Sequence, residues 1–387
     1  MPTAARALRC SRAVAERAIT EPMRAVVLER PGEPLRVETI PRPRPLEGEV
    51  LIQVHGCGVC HTDLHVMKGE VAFPTPCVLG HEVSGIVSEL GPGVANCAVG
   101  DRVVSAFIMP CGHCRHCVRG RDELCETFFA MNRLRGTLYD GTSRLRRADG
   151  TTLAMYSMAG LAEYAVVPAT DVFAVPEALE LGSAAVLGCA VFTAYGAVAH
   201  AGCVSPGDRV AVVAAGGVGL NIIALARVFG ASQVIAVDVA TAKLERAREL
   251  GATDVVDSSA GDPVARVREL TGGAGVDVAF EALGRPETVQ AAFKMACDGG
   301  TVVAVGIAAG AAAAEIEITH MVRREIRLVG SFGARARADM PRIVALAAAG
   351  AIDLEQLISR RVGLEQADQI YRSLDRGEVL GRALVVP

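Results

Sequence analysis

A chain of 387 residues is long enough to bury two ordinary hydrophobic cores, and a composition of 51% hydrophobic and 21% charged residues, with 41 glycines and no tryptophan, argues against a disordered or fibrous chain. The 39 basic and 43 acidic residues leave a net charge of −4, which creates no field able to gather nucleic acid or anionic lipid over a whole face. No uninterrupted run of 18 apolar residues occurs, so a small-molecule substrate is expected, with neither nucleic acid nor membrane as partner.

Residues 1–22 stand apart. Arg6, Arg9, Arg12 and Arg17 lie among many alanines, as in a transit peptide, whereas Glu16 and Glu21 break the acid-poor pattern of such peptides and fit an extension ahead of Met23. The expected location is cytoplasmic, or mitochondrial if this segment is a transit peptide. From Met23 to about Val104 short strands such as Glu49 to Val54 and Val83 to Leu90 are punctuated by turn signals at Pro31-Gly32 and Gly91-Pro92-Gly93, which predicts a β-rich domain. From about Val191 strands alternate with amphipathic helices: Arg209 to Val213, Val218 to Phe229, Gln233 to Val237, Lys243 to Leu250. The rhythm continues through Val276 to Glu281 and Thr301 to Gly306 and ends near Val329 to Phe332. An α/β protein with a doubly wound parallel sheet is expected, divided into a catalytic domain (1–190), a dinucleotide-binding domain (191–332) and a return to the catalytic domain (333–387).

Twelve cysteines without a secretory signal point to reduced thiols serving as ligands or core residues. Cys60 in Gly-Val-Cys-His-Thr-Asp, His81 with Glu82 in Gly-His-Glu, and Cys189 in Gly-Cys-Ala form a scattered set of three donors. Three protein ligands leave a fourth position open, the arrangement of a catalytic zinc, and two thiolates cancel the double charge of the metal. An alcohol bound there loses its proton more easily. Cys57 and Cys60 also form a Cys-x-x-Cys; a redox reading requires a helix starting directly after a strand, whereas Cys60 runs into the polar triplet His61, Thr62, Asp63. Nor does His81-Glu82 continue to a histidine at zinc-protease spacing.

Cys111, Cys114, Cys117 and Cys125 fall within fifteen residues, close enough to wrap one tetrahedral zinc in a closed, structural site. Paired disulfides or core thiols are the alternative, against which the neighbours Arg115, Arg119 and Arg121 argue. His113 and His116 read as exposed loop residues.

The apolar strand Val210 to Val213 runs into Ala214-Ala215-Gly216-Gly217-Val218-Gly219 and a helix, with Asp238 ending the next strand, which is the dinucleotide fingerprint in its required context. Gly216 lets the backbone approach a pyrophosphate, Gly219 lets helix and strand pack closely, and the helix N-terminus favours negative charge. Ala214 replaces the first glycine of the pattern. Asp238 is expected to hydrogen-bond the adenosine ribose and to repel a 2′-phosphate, which favours NAD over NADP.

On these motifs the chain, from Met23 onward, resembles the zinc-containing medium-chain alcohol dehydrogenase family. The resemblance implies a GroES-like β-rich catalytic domain with a Rossmann domain, two Zn2+ per chain and NAD as cofactor. It implies that Cys60, His81 and Cys189 ligate the catalytic zinc with Glu82 close behind, that Asp63 orients His81, and that Cys111, Cys114, Cys117 and Cys125 hold the structural zinc. Thr62 matches the hydroxyl that takes the substrate proton and His65 the base at the outer end of the relay, while His61, Gly216, Gly217, Val218, Gly219, Asp238 and Lys243 match cofactor contacts. Phe107, Val71, Ile307 and residues near Met155 to Met158 are implied as an apolar channel, suited to a primary or secondary alcohol or aldehyde with an apolar tail. The segment Gly136 to Arg144 resembles the insertion of dimeric members, so a homodimer is expected.

Two other readings remain. A thiol-adduct formaldehyde dehydrogenase of the same fold needs a basic pocket rim, for which Arg133, Arg135 and Arg144 are available. A non-catalytic NAD-binding relative would have lost ligands that are all present here.

Overall fold

The strand Glu49–Gly58 is buried along almost its whole length because it takes partners on both sides. It runs antiparallel to Val83–Leu90 on one edge, and on the other to Tyr164–Pro168 and then to the C-terminal strand Arg382–Val385. Seven strands make up this sheet and five more a second, smaller one. The computed structural model describes residues 21–308 and 310–387; the transit-peptide reading of residues 1–22 therefore lies outside the described residues except for Glu21 and Pro22.

The expected parallel sheet is present. Six strands lie in the order Asp254–Asp257, Gln233–Asp238, Arg209–Val213, Val276–Glu281, Ala296–Ala304, Arg327–Gly330, and every pair of neighbours is parallel. Chain order reverses between Arg209–Val213 and Val276–Glu281, and in open α/β sheets ligands bind beyond the carboxyl ends of the strands at such a reversal. The helices Gly217–Val228 and Thr241–Glu249 follow their strands within a residue or two of the sequence expectation. The last strand starts two residues before the expected Val329, at Arg327.

One local expectation is corrected. His61, Thr62 and Asp63 do not form a polar loop but open an eight-residue helix, His61–Lys68, with Cys60 as its N-cap, two residues after the strand Glu49–Gly58 ends. Asp63 sits in the first turn, where a carboxylate complements the helix dipole. The strand-then-helix geometry of a redox motif is thus present. The Cys57 thiol is nevertheless fully buried, donating at 3.8 Å to the Gly58 carbonyl, and burial pushes its pKa well up.

The helical run Ser183–Ala201 is apolar and long enough to cross a membrane by composition, but 78% of it is buried inside the protein. It carries Cys189 at the break between a 3-10 turn and the helix Ala190–Gly196.

Candidate active site and metal centres

Folding brings together donors that are far apart in the chain. Cys60 comes from a helix N-cap, His81 and Glu82 from the segment entering the strand Val83–Leu90, and Cys189 from the break in the Ser183–Ala201 run. Their ligand atoms all lie within 4.8 Å of one another, and all four residues are buried. The His81 imidazole is oriented as expected: Asp63 Oδ1 lies 3.0 Å from Nδ1, which leaves Nε2 facing the cluster, buried and without a hydrogen-bond partner among the described residues. A buried nitrogen left unpartnered is costly unless something binds it. Two sulfurs and one free imidazole nitrogen form a donor set that suits zinc, so the residues present fit the metal.

The neighbouring Cys189 thiol, with the positive charges of Arg382 and His81, holds the Cys60 pKa well below the ordinary thiol value against the opposing effect of burial. The same sulfur–sulfur contact and burial push Cys189 up. Burial alone would push His81 down, but Asp63 and Cys60 more than reverse it, to about 10.

Two residues that sequence reasoning missed complete the surroundings. Tyr371, fully buried on the helix Ala367–Asp375, donates its hydroxyl to Asp63 Oδ2 at 2.8 Å, while the Gly80 amide donates to Oδ1 at 3.2 Å. Arg382, only 3% exposed, places Nη2 3.0 Å from Glu82 Oε1 and 3.7 Å from the Cys60 sulfur. Glu82 itself fits only because residue 58 is glycine, since a Cβ there would stand 2.0 Å from Glu82 Oε2. Neither Tyr371 nor Arg382 belongs to a local motif. In the sequence the one visible hint was a lone arginine in the apolar run Ala383 to Val386 that Arg382 begins.

The relay candidates share one helix. The Thr62 hydroxyl, half-buried, lies 3.5 Å from the Cys60 sulfur. His65, also half-buried, pairs through Nδ1 with the carboxylate of Glu70. His61 stands at the start of the helix, and loss of solvation around its ring, with the positive charges of Arg382, His65 and Lys243, lowers its pKa.

The glycine-rich turn is arranged for a phosphate. Nothing lies within 4 Å of where a Gly216 Cβ would stand, which leaves that backbone open at the N-cap of the helix Gly217–Val228. Gly219 packs so closely that a Cβ would meet the Ala214 carbonyl at 1.9 Å, and a Cβ on Gly217 would meet Arg382 Nη1 at 2.5 Å. Ala214 adopts φ of +77°, a left-handed conformation that glycine would take without penalty. Val218 follows in the first turn of the helix, half-buried. Asp238 ends its strand 8% exposed, accepting from Ala215 N at 2.8 Å and Ala240 N at 3.0 Å.

In the four-cysteine lobe all ligand sulfurs lie within 4.8 Å of one another and every thiol is free. Backbone amides of Cys111, Cys114, Cys117 and Phe128 donate to the sulfurs at 3.3 to 3.5 Å. These bonds stabilise thiolates, so the set fits a closed zinc site rather than two disulfides. Arg337 anchors the lobe, forming a 2.7 Å ion pair with Asp122 and donating to the Cys117 carbonyl at 2.5 Å.

The wall facing His81 is aromatic. Phe107 and Tyr156 stand edge-on to its ring at 6.1 and 5.9 Å between centroids. Val71 is half-buried, Met155 and Met158 are fully buried, and Ile307 is 47% exposed. Of the three arginines available for a basic rim, Arg144 is consumed by Glu49 at 2.6 Å and Asp140 at 3.0 Å, and Arg135 is exposed. Arg133 alone reaches the aromatic wall, 4.1 Å from the Tyr156 ring centroid.

Comparison with known proteins agrees with this geometry. Residues 46–177 match the alcohol dehydrogenase GroES-like domain and residues 217–349 match the zinc-binding dehydrogenase domain. The chain is 36% identical over 360 residues to the NDMA-dependent alcohol dehydrogenase of Amycolatopsis methanolica, covering 92% of this chain and 96% of that one. The crystal structure of benzyl alcohol dehydrogenase from Acinetobacter calcoaceticus superposes with a TM-score of 0.88 at 29% identity, covering 95% of this chain and 99% of that one. A zinc-binding dehydrogenase from Sinorhizobium meliloti 1021, bound to NADP, superposes with a TM-score of 0.80 at 33% identity, covering 95% of this chain and 100% of that one. The chain therefore belongs to the zinc-containing medium-chain alcohol dehydrogenase family and is an enzyme of zinc-dependent alcohol oxidoreduction that works with a nicotinamide cofactor.

Proposed function

We propose that this alcohol dehydrogenase uses NAD, binds two zinc ions per chain and acts on a primary or secondary alcohol, or the matching aldehyde, with an apolar body. The observation that carries the reading is the buried, unpartnered Nε2 of His81 beside the sulfurs of Cys60 and Cys189. Cys60, His81 and Cys189, with Glu82 in the same cluster, would hold the zinc, which would supply a Lewis acid that eases loss of the hydroxyl proton, and a nicotinamide cofactor would supply the hydride acceptor. Thr62 receives that proton in this reading, and His65, one turn further along the helix with its ring held by Glu70, releases it towards solvent; the Thr62–Cys60 and His65–Glu70 contacts support these roles. The second ion belongs to Cys111, Cys114, Cys117 and Cys125, where no open position remains.

Asp238 supports NAD. Its carboxylate ends the strand beside the open Gly216 backbone, and a 2′-phosphate would meet that negative charge. His61, Gly217, Val218, Gly219 and Lys243 complete the cradle, in a chain divided into a catalytic domain (1–190 and 333–387) and a cofactor domain (191–332). A homodimer is supported by the edge strand Arg327–Gly330, which among the described residues has a partner on one side only and exposes Leu328.

Metal content per chain is measured beside turnover of a panel of alcohols with NAD, NADP and the artificial acceptor NDMA, for wild type and Cys60→Ser. Two zincs in wild type, one in the variant, and NADH formation lost with the second zinc are expected. Equal use of NADP removes the role given to Asp238, turnover with NDMA alone removes free NAD as the acceptor, and an active single-zinc variant overturns the catalytic centre.

A further inference from the structure

Asn132 lies on the short π-helix Phe128–Arg133, fully buried, and directs its amide at the segment that follows the strand Thr152–Met155. Its Nδ2 donates to the carbonyls of Ser157 at 3.0 Å, Met155 at 3.1 Å and Thr137 at 3.3 Å, and its Oδ1 accepts from the Ser157 amide at 2.9 Å. A buried amide engaged at both ends fixes one arrangement of its partners. Ser157, also fully buried, adopts φ of +52°, and Ala159, two residues on, φ of +57°. Residues with a Cβ avoid this left-handed region, and such conformations persist where the surroundings over-determine them, with a concentration at functional sites. Asn132 is that determinant for Ser157, because it holds the N–H and the C=O of the strained residue at once.

The strained residue joins two walls of the site. Tyr156 precedes it in the chain and stands edge-on to Phe73, 4.9 Å between ring centroids, and to His81 at 5.9 Å. The Ser157 hydroxyl donates at 2.9 Å to the carbonyl of Phe107, whose ring faces His81 from 6.1 Å and packs edge-on against Phe332 at 5.4 Å and Phe192 at 5.9 Å. Both aromatic residues that face His81 are therefore tied to Ser157, one by a peptide bond and the other by a hydrogen bond, and Ser157 is tied to Asn132.

We propose that Asn132 and Ser157 are positioning residues that set the spacing of the Phe107 and Tyr156 rings, and through it the preference for a flat aromatic body over a short aliphatic one at the Cys60, His81 and Cys189 centre. The inference rests on the alcohol dehydrogenase reading. Neither residue touches substrate; both act through the two rings. A planar body gains from offset or edge-on contacts whose strength depends on ring placement, whereas a two-carbon chain offers little surface to either ring.

The test compares kcat/KM for benzyl alcohol and for ethanol in zinc-loaded wild type, Asn132→Ala and Ser157→Ala, with whichever acceptor supports turnover. The ratio of benzyl alcohol to ethanol is expected to fall about threefold in Ser157→Ala, the net worth of one hydrogen bond, and roughly tenfold in Asn132→Ala, which removes four, the fall being carried mainly by KM for benzyl alcohol. Losses in equal proportion for the two alcohols would leave the clamp a purely structural role and overturn the proposal. Where Asn132→Ala fails to fold, Ser157→Ala, which lacks one hydroxyl only, decides alone. A second readout needs no turnover: calorimetry of imidazole and 4-phenylimidazole, which bind zinc through nitrogen. The affinity gained from the phenyl group is expected to shrink about threefold in Ser157→Ala, and an unchanged gain overturns the proposal. Absence of turnover with every alcohol in wild type overturns the functional reading instead, and the calorimetric comparison then still decides whether the clamp sets the two rings.

Discussion

The guanidinium of Arg382 and the carboxylate of Glu82 stand 3.0 Å apart, both almost completely removed from solvent, immediately behind the Cys60 sulfur. A buried pair of this kind contributes little compared with an apolar replacement, but breaking one half leaves the other charge stranded, at a cost of about 3–5 kcal/mol. Glu82, already pushed up to about 7 by burial, can escape by taking up a proton once Arg382 is gone. Arg382→Met is therefore expected to cost about 3 kcal/mol in urea unfolding, at the lower end of that range. Glu82→Gln combined with Arg382→Met should recover much of the loss, and strict additivity of the two substitutions would mean the pair is not coupled.

Ala214 and Gly219 make opposite predictions about one turn. Holding an alanine at φ of +77° costs about 1–2 kcal/mol, part of which glycine gives back through the entropy of the unfolded chain. Ala214→Gly is expected to raise stability by about 0.5–1 kcal/mol with cofactor affinity unchanged. Gly219→Ala would drive a methyl to 1.9 Å from the Ala214 carbonyl and is expected to lose at least tenfold in affinity for the nicotinamide cofactor. Thermal unfolding and fluorescence titration with NADH measure both; a destabilised Ala214→Gly would show that the left-handed turn carries no strain.

Tyr371 holds Asp63, and Asp63 holds His81. Groups that orient a metal-binding histidine typically account for 10–100-fold in metal affinity. Tyr371→Phe is expected to weaken zinc binding at the catalytic centre about tenfold in competition with a chelator, and Asp63→Asn more. If Tyr371→Phe lowers only the melting temperature and leaves zinc competition unchanged, the hydroxyl serves packing alone.

Asp171 is fully buried, accepting a single 3.2 Å bond from the Ala106 amide through Oδ1, while Oδ2 has no partner among the described residues. Burial, with Asp122 adding to it, pushes its pKa well above the usual carboxylate value. The folded chain therefore holds a proton that the unfolded chain releases near the ordinary value of about 3.9. Stability from this group is fully present below that value and is lost as pH rises towards the folded pKa. Asp171→Asn, which cannot ionise, is expected to flatten the fall in melting temperature between pH 5 and pH 8.5; an unchanged slope would show that Asp171 does not contribute to it.

Several features were legible in the sequence because short-range geometry enforces them. Four thiols within fifteen residues can wrap one ion whatever the rest of the chain does, and the fold gathers Cys111, Cys114, Cys117 and Cys125 within 4.8 Å. The alternation of apolar strands with amphipathic helices required a parallel sheet, and the Gly216 to Gly219 turn between strand and helix placed its cradle at the strand ends. The catalytic donors were legible only through resemblance, since nothing local ties Cys60 to His81 or Cys189.

Tertiary structure alone decided the rest. Arg382 stands behind Cys60 because the C-terminal strand pairs Leu384 with Gly58 and Val385 with Cys57, a register that no local pattern encodes. Tyr371 reaches Asp63 because the helix Ala367–Asp375 packs against His61–Lys68. Three arginines, Arg133, Arg135 and Arg144, were equally eligible for a basic rim as a string of residues, and only packing sent one to an ion pair with Glu49, one to solvent and one to the aromatic wall beside His81. Periodicity and spacing act over a few residues and set elements and local clusters; the direction and partner of a side chain depend on sheet register and on which neighbours have already been satisfied.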